Sequence, residues 1–120
     1  MRHALIIEDD PIDSNKLKKF VEDLFDEITV ASDGAKATEQ LKNNKFDVIF
    51  MDMMIPGSYG IDLLKLAKTT CNQDTITIVI SSKSAQFDID NAKMHGAKSY
   101  LVKPYNKDQL IAEMKSHNLI

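Results

Sequence analysis

The sequence predicts an α/β fold of the doubly wound (βα)₅ type, in which a five-stranded parallel sheet carries helices on both faces. Five short apolar runs alternate along the chain with longer stretches whose apolar residues recur at a helical period. Strands in such an alternation are parallel and are joined by right-handed crossovers. A chain of 120 residues with 43% hydrophobic side chains suits one core rather than two, so we expect a single domain over residues 1–120.

The five apolar runs are the predicted strands. Three of them are continuous and rich in isoleucine and valine, which is typical of parallel strands that are buried on both faces. Each run is followed by a polar residue, which indicates where the strand ends. In chain order the predicted strands are Ala4–Ile7, Ile28–Ala31, Val48–Met51, Ile76–Ile80 and Ser99–Val102.

The stretches between the strands carry helix signals. Asp10 is a capping residue directly before a proline, and Asp13 occupies the capping-box position of the same helix. The apolar period of this first helix runs from Leu17 to Phe25. The later helices are marked by Ala37 with Leu41, by a stop at Asn43-Asn44, by Ile61 with Leu64 and Ala67, by a stop at Gly96, and by Lys107–Ser116.

Four of the five predicted strands end on polar or charged side chains. The carboxyl ends of parallel strands meet at one edge of the sheet, where ligands bind in such folds, so these side chains should lie together. Carboxylates grouped in this way repel one another unless a cation is present. Asp10 alone is more simply explained as the helix cap. The other residues at this edge are Glu8 and Asp9 after the first strand, Asp52 after the third, Ser81 after the fourth and Lys103 after the fifth.

The kinds of side chain at this edge narrow the ligand chemistry. An all-oxygen carboxylate site suits hard cations, Mg²⁺ first and Mn²⁺ or Ca²⁺ next. The lysine and the hydroxyl opposite suit an anion, most naturally a phosphoryl group. His3, His95 and His117 lie in unrelated elements, so the sequence does not support a zinc site.

Composition and charge exclude several classes of protein. The net charge of −3 gives no electrostatic footprint for nucleic acid or an anionic membrane. No apolar stretch approaches the ~20 residues of a membrane-spanning helix, and the acidic residues after Ile7 are unlike a signal peptide. The single cysteine, Cys71, cannot form an internal disulfide and fits a reducing compartment. We therefore expect a cytoplasmic protein that binds neither nucleic acid nor membrane directly.

In their order and spacing, the residues at the strand ends resemble the receiver domain of two-component response regulators. The resemblance covers essentially the whole chain. It implies a flavodoxin-like fold and a phosphoacceptor signalling domain that is not an enzyme, although it assists its own phosphorylation and dephosphorylation. The motifs that carry the resemblance are Ile6-Ile7-Glu8-Asp9-Asp10-Pro11, Asp52-Met53-Met54-Ile55-Pro56 with Gly60, Ser81, and Lys103-Pro104.

The resemblance also implies a phosphoacceptor and a metal site. Asp52 would accept a phosphoryl group from the phosphohistidine of a sensor histidine kinase or a histidine phosphotransfer protein. Asp9, Asp52 and the main-chain carbonyl of Met54 would bind Mg²⁺ directly, with Mn²⁺ as a substitute. Glu8 would hold a water molecule bound to the metal.

A conformational switch is implied as well. Lys103 and Ser81 would contact the phosphoryl oxygens, and Tyr100 matches the aromatic switch position, whose ring turns inward when the hydroxyl moves towards the phosphate. We expect this to switch the face of helix four and strand five for a downstream protein target or an output domain. Ala97-Lys98-Ser99 lacks the acidic pair of many regulators that dimerise through helices four and five. A monomer or a weak phosphorylation-dependent dimer is therefore expected.

Two positions are expected to set the lifetime of the phosphorylated form. In receivers, the residues two positions after the phosphorylated aspartate and two after the hydroxyl residue border the approach of the attacking water. Here they are Met54, which is apolar, and Lys83, which is long and cationic. Both should hinder the water rather than position it, so we expect slow self-dephosphorylation.

Two other functions remain open at this point. A small Mg²⁺-dependent phosphatase or phosphotransferase would need a cap or second domain to enclose its substrate, and 120 residues leave none. A flavin- or nucleotide-binding module would be expected to carry a glycine-rich phosphate loop after the first strand, where this chain has carboxylates. Steady turnover of phosphomonoesters would favour the first alternative, and flavin absorbance the second.

Overall fold

The predicted alternation of strands and helices is confirmed. The computed structural model describes residues 2–120. In chain order the elements are β1 (His3–Ile7), α1 (Pro11–Val21), β2 (Glu27–Ala31), α2 (Gly34–Asn43), β3 (Val48–Met51), β4 (Met54–Ile55), β5 (Ser58–Tyr59), α3 (Gly60–Ala67), β6 (Ile76–Ser81), α4 (Gln86–Met94), β7 (Ser99–Val102) and α5 (Lys107–Ser116). The predicted strands correspond to β1, β2, β3, β6 and β7, and the bounds of β3, β7 and α5 are those expected from the sequence.

The five predicted strands form one parallel sheet in the order β2-β1-β3-β6-β7. Ile7 at the end of β1 lies beside Ala31 of β2 on one side and Met51 of β3 on the other. The chain leaves β1 towards one edge and returns on its other side, so the strand order reverses between β1 and β3. A crevice opens at the carboxyl ends of the strands at such a point, and Glu8 and Asp52 follow the two strands there.

The core lies on both faces of the sheet, because alternate side chains of a strand point to opposite faces. Leu5 and Ile7 of β1 pack with the apolar residues of α2, α3 and α4 on one face. Ala4 and Ile6 pack with those of α1 and α5 on the other. All four of these β1 side chains are 0% exposed, which confirms a doubly wound sheet that is covered on both faces.

One element of the structure, a short hairpin, was not expected from the sequence. After β3 the chain forms β4 and β5, which pair antiparallel with Met54 opposite Tyr59. The turn between them contains Gly57, at a φ of +86°. The hairpin lies against the start of α2, where the backbone N–H of Gly34 donates to the carbonyl of Pro56 over 2.8 Å. Strands of two residues carry no periodic pattern, so tertiary contacts rather than sequence periodicity define this element.

The first helix ends earlier than its apolar period predicts. Asp10 is the N-cap as expected, since its side chain accepts from the backbone N–H of Ile12 over 2.9 Å. The helix ends at Val21, and the N–H groups of Asp26 and Glu27 both donate to the carbonyl of Arg2, over 2.9 and 3.2 Å. These bonds lead the chain into β2 beside β1. The residues after Val21 therefore continue to cover the core without being helical.

Among residues 2–120, none of the helices is long and apolar enough to cross a lipid bilayer. The thiol of Cys71 is free and exposed.

Candidate functional site

The side chains predicted at the sheet edge meet around one lysine. Lys103 follows β7, and its Nζ donates hydrogen bonds to Oε1 of Glu8 over 2.6 Å and to Oδ2 of Asp52 over 2.7 Å. A third bond, over 2.9 Å, goes to Oδ2 of Asp13. One ammonium group is therefore shared by three carboxylates, two of which the sequence placed at this edge.

Asp13 is the member of the cluster whose sequence position predicted another role. Its carboxylate was expected to close a capping box on α1, but it bonds to Lys103 instead. The backbone N–H of Asp10, which a capping box would use, donates instead to Oε2 of Glu8 over 3.4 Å. The position itself carried a signal, because a side chain in the first turn of a helix that starts at this edge can reach back over the crevice.

Asp52 is held by both of its carboxylate oxygens. Oδ2 accepts from Lys103, and Oδ1 accepts from the backbone N–H of Met54 over 2.9 Å. The Asp52 side chain is 11% exposed. Its orientation is therefore fixed by the strand that it follows, by the next loop and by the charge of Lys103, which follows β7 at the same carboxyl edge of the sheet.

The charges of the cluster shift the pKa values of its members. Burial raises the pKa of Glu8 to about 7; the hydrogen bond from Lys103 opposes this shift, and the charge of Asp52 adds to it. Burial alone would lower the pKa of Lys103, but its hydrogen bonds to Asp52, Glu8 and Asp13 hold that pKa above its ordinary value. Beside the cluster, burial raises the pKa of Tyr105 to about 12. Three carboxylates thus share the single positive charge of Lys103 in a partly buried space.

The carboxylate oxygens of the site are of the type that binds a hard cation, although their positions do not form a ready-made metal site. Asp9 is exposed and lines an open groove of about 860 Å³ together with Met54, Tyr59 and Lys83. Across residues 2–120, no three His, Cys, Asp or Glu side chains are placed to hold a metal ion together. Lys103 lies between Glu8 and Asp52, so once Glu8 is ionised the cluster has one positive charge against three carboxylates. Carboxylates with an uncompensated negative charge are the donor set that Mg²⁺ or Mn²⁺ takes.

Ser81 and Tyr100 are joined through the backbone of one residue, Lys83. Oγ of Ser81, which is fully buried, accepts from the N–H of Lys83 over 3.2 Å. The hydroxyl of Tyr100 donates to the carbonyl of the same residue over 2.7 Å. Tyr100 packs half-buried against the core on the α4 side of the sheet, and this burial raises the pKa of its hydroxyl. From its position in the sequence, only the side chain of Lys83 was expected to act here, whereas its backbone makes both contacts.

The three histidines are bound in separate parts of the fold. His3 lies within hydrogen-bond distance of the Thr29 hydroxyl at 2.7 Å, and His95 of the Asn91 carbonyl at 2.8 Å. His117 contacts the hydroxyl of Ser99 at 2.6 Å, at the end of α5. Each of these side chains is therefore engaged within its own region of the structure.

Comparison with known proteins gives the same family over nearly the whole chain. The family described as the response regulator receiver domain matches residues 4–115. The transcriptional regulatory protein CrdR of Helicobacter pylori is 32% identical over 114 residues, which are 95% of this chain and 54% of that protein. The chain spans about half the length of the curated relatives that it matches first.

Solved structures share the fold. The receiver domain of the Francisella response regulator 1452 superposes with a TM-score of 0.85 at 30% identity, covering 97% of this chain and 95% of that one. The receiver domain of the sensor histidine kinase PA1611 of Pseudomonas aeruginosa, with magnesium coordinated in its active site cleft, gives 0.83 at 21% identity, covering 95% of each chain. Together with the five-stranded parallel order and the acidic crevice, the family match over residues 4–115 shows that the chain belongs to the response regulator receiver domain family, the phosphoacceptor domains of two-component signalling.

Proposed function

We propose that Asp52 is the phosphoacceptor of this receiver domain and that residues 1–120 act as one phosphorylation switch. The observation that carries the proposal is the position of its carboxylate, which lies in the crevice between β1 and β3 and bonds to Lys103 over 2.7 Å. The donor is the phosphohistidine of a sensor histidine kinase or a histidine phosphotransfer protein, as the family implies.

The transfer is a displacement at phosphorus. A lone pair of an Asp52 carboxylate oxygen forms the new P–O bond while the P–N bond to the donor imidazole breaks and leaves its electron pair on the nitrogen. A carboxylate is a poor nucleophile towards an anionic phosphoryl group, so positive charge must screen the approach. Lys103 supplies one such charge from within the cluster, and the N–H of Met54 fixes the carboxylate for attack.

A divalent cation would supply the remaining positive charge. Asp9, Asp52 and the main-chain carbonyl of Met54 would hold Mg²⁺, and Glu8 would hold a water of its shell; Mn²⁺ would serve as a substitute. When bound, the ion screens the negative charges of the acceptor and the donor. In dephosphorylation, a water molecule would attack the phosphorus while the P–O bond to Asp52 breaks and leaves its electron pair on the carboxylate. The same residues would stabilise this step, so the domain would assist its own dephosphorylation as well as its phosphorylation.

The output of the switch would arise on the face of α4 and β7. Ser81 and Tyr100 are both bonded to the backbone of Lys83, so a movement of the Ser81 hydroxyl towards a phosphoryl group displaces a contact that Tyr100 shares. A change in these contacts can shift an equilibrium between two arrangements of this face. The partner would be a downstream protein target or an output domain, met by a monomer or a weak phosphorylation-dependent dimer in the cytoplasm.

The test is the intact mass of the protein after incubation with a small phosphodonor, with and without Mg²⁺, followed by peptide mapping. We expect one added phosphate on Asp52, only with a divalent cation, and none in Asp52→Asn. Full labelling of Asp52→Asn would overturn the site assignment. Steady release of phosphate from phosphomonoesters without retained label would instead favour a phosphatase.

A further inference from the structure

Asp13 contacts the centre of the site without belonging to the acidic residues that follow the strands. Its Oδ2 lies 2.9 Å from Nζ of Lys103. The side chain of Asp13 is 38% exposed, against 7% for Glu8 and 11% for Asp52. It therefore adds a third negative charge on the solvent side of the ammonium.

The start of α1 holds Asp13 in this position. Asp10 caps the helix by accepting from the N–H of Ile12 over 2.9 Å, and its carbonyl accepts from the N–H of Ser14 over 2.9 Å. Asp13 lies within this bonded first turn, so its backbone is fixed relative to the crevice. The bond to Lys103 is therefore a feature of the folded helix rather than of a mobile loop.

The geometry of the ammonium makes the three carboxylates competitors. A lysine ammonium has three N–H donors, and here each of them has an acceptor: Glu8, Asp13 and Asp52. A phosphoryl group on Asp52 would need one of these donors and would bring further negative charge close to Asp13. Any donor that Asp13 retains is not available to the phosphoryl oxygens.

We propose that Asp13 is a positioning residue that holds Lys103 back from the phosphoryl group and so lowers the affinity of the site for phosphoryl anions. This inference rests on the proposed role of Asp52. The same negative charge attracts a divalent cation to the site. Asp13 therefore weakens the binding of a phosphoryl anion and strengthens the binding of a divalent cation.

The opposite signs define the experiment. We expect Asp13→Asn to bind beryllofluoride, an anionic phosphoryl analogue, about threefold to tenfold more tightly in saturating Mg²⁺, and to bind Mg²⁺ alone about twofold to fivefold more weakly. Isothermal titration calorimetry measures both affinities. A variant that merely loosens the site would weaken both, and that result, or two unchanged affinities, would overturn the proposal.

Two control variants test whether the effect depends on a negative charge at position 13 in particular. Asp13→Glu keeps the charge and should return both affinities towards those of the wild type. Asp10→Asn removes an equal charge from the same helix start, keeps a residue that caps well, and does not touch Lys103. Its affinities should change less than twofold, and changes equal to those of Asp13→Asn would contradict the proposal.

A metal-free measurement keeps this inference separate from the proposed function. In EDTA, the ¹⁵N-detected ammonium signal of Lys103 should shift and exchange faster with water in Asp13→Asn than in the wild type, because one of its three acceptors has lost its charge. An unchanged signal would overturn the role of Asp13 whatever the phosphorylation result. Failure of the wild type to accept phosphate on Asp52 would instead overturn the proposed function and leave the ammonium measurement standing.

Discussion

The metal-free protein should lose stability as the pH rises from about 4.5 to about 7, because Glu8 must then ionise in the folded state. A carboxyl group whose pKa is raised by folding binds its proton more tightly in the folded state than in the unfolded one. Its contribution to stability is therefore complete below the unfolded pKa and is lost as the pH rises through the folded pKa. Glu8→Gln carries no titrating proton and should abolish this contribution.

The size of the effect follows from the pKa of Glu8. Burial, with the charge of Asp52 adding to it, moves this pKa from 4.5 to about 7. The difference corresponds to on the order of 3 kcal/mol in the free energy of unfolding. Because the Glu8 side chain is only 7% exposed, little of this is screened by solvent. The wild type and Glu8→Gln should thus be similar in stability at acid pH, and the variant should be the more stable above neutrality.

The assay is urea unfolding in EDTA, followed by far-UV circular dichroism because the chain has no tryptophan. Subtracting the Glu8→Gln curve from the wild-type curve at each pH leaves the contribution of Glu8 alone, because all other ionisable groups are common to both proteins. Mg²⁺ should restore the stability of the wild type above neutrality, as a ligand of the folded state does. Parallel pH profiles for the two proteins in EDTA would refute the assignment of the shift to Glu8.

Three further predictions concern the phosphoryl group and its surroundings. Asp52→Asn should not be labelled by any phosphodonor. It should also raise the free energy of unfolding in EDTA by ~1 kcal/mol, because it removes one of several like charges. A lower free energy in urea unfolding would contradict this repulsion. Lys103→Ala should still accept phosphate on Asp52, but the NMR signals of the Tyr100 ring should no longer change on phosphorylation. A normal change would show that Lys103 does not couple phosphorylation to the movement of Tyr100. Met54→Asn with Lys83→Glu should accelerate decay of the phosphorylated form by about threefold or more after donor removal, and an unchanged decay would show that these positions do not set its lifetime.

Most of the fold could be predicted because burial and sequence period agree. The strands β1, β3 and β6 are covered on both faces, which leaves continuous apolar runs whose ends are visible in the sequence. The hairpin of β4 and β5 could not be predicted in this way, because it depends on the left-handed turn at Gly57 and on the contact between Pro56 and Gly34. The end of α1 likewise depends on bonds to Arg2, which is remote in sequence.

In the site, too, only the residues whose positions follow from the strands could be predicted. Residues that follow strands, such as Glu8, Asp52 and Lys103, could be predicted to meet because parallel strands bring their ends to one edge. The acceptor role of Asp13 and the backbone contacts of Lys83 could not, because each is a contact between a helix or loop and another element. Sequence spacing indicates which edge a residue occupies. It does not indicate which of several acceptors a shared donor will choose.

The charge cluster can persist because the strand before it is among the most buried parts of the protein. Each of Ala4, Leu5, Ile6 and Ile7 is 0% exposed, and burying a side chain such as leucine or isoleucine stabilises the fold by roughly 1.5–3 kcal/mol. The stabilisation from burying the β1 side chains alone thus exceeds the cost, on the order of 3 kcal/mol, of ionising Glu8 in the folded protein. An apolar strand that runs directly into acidic residues therefore places a locally destabilised group on a well-anchored edge. That cost remains although the hydrogen bond from Lys103 lowers the pKa of Glu8. A cation that neutralises the ionised group would recover it, so the affinity of the crevice for positive charge follows from the arrangement that makes the crevice costly to fold.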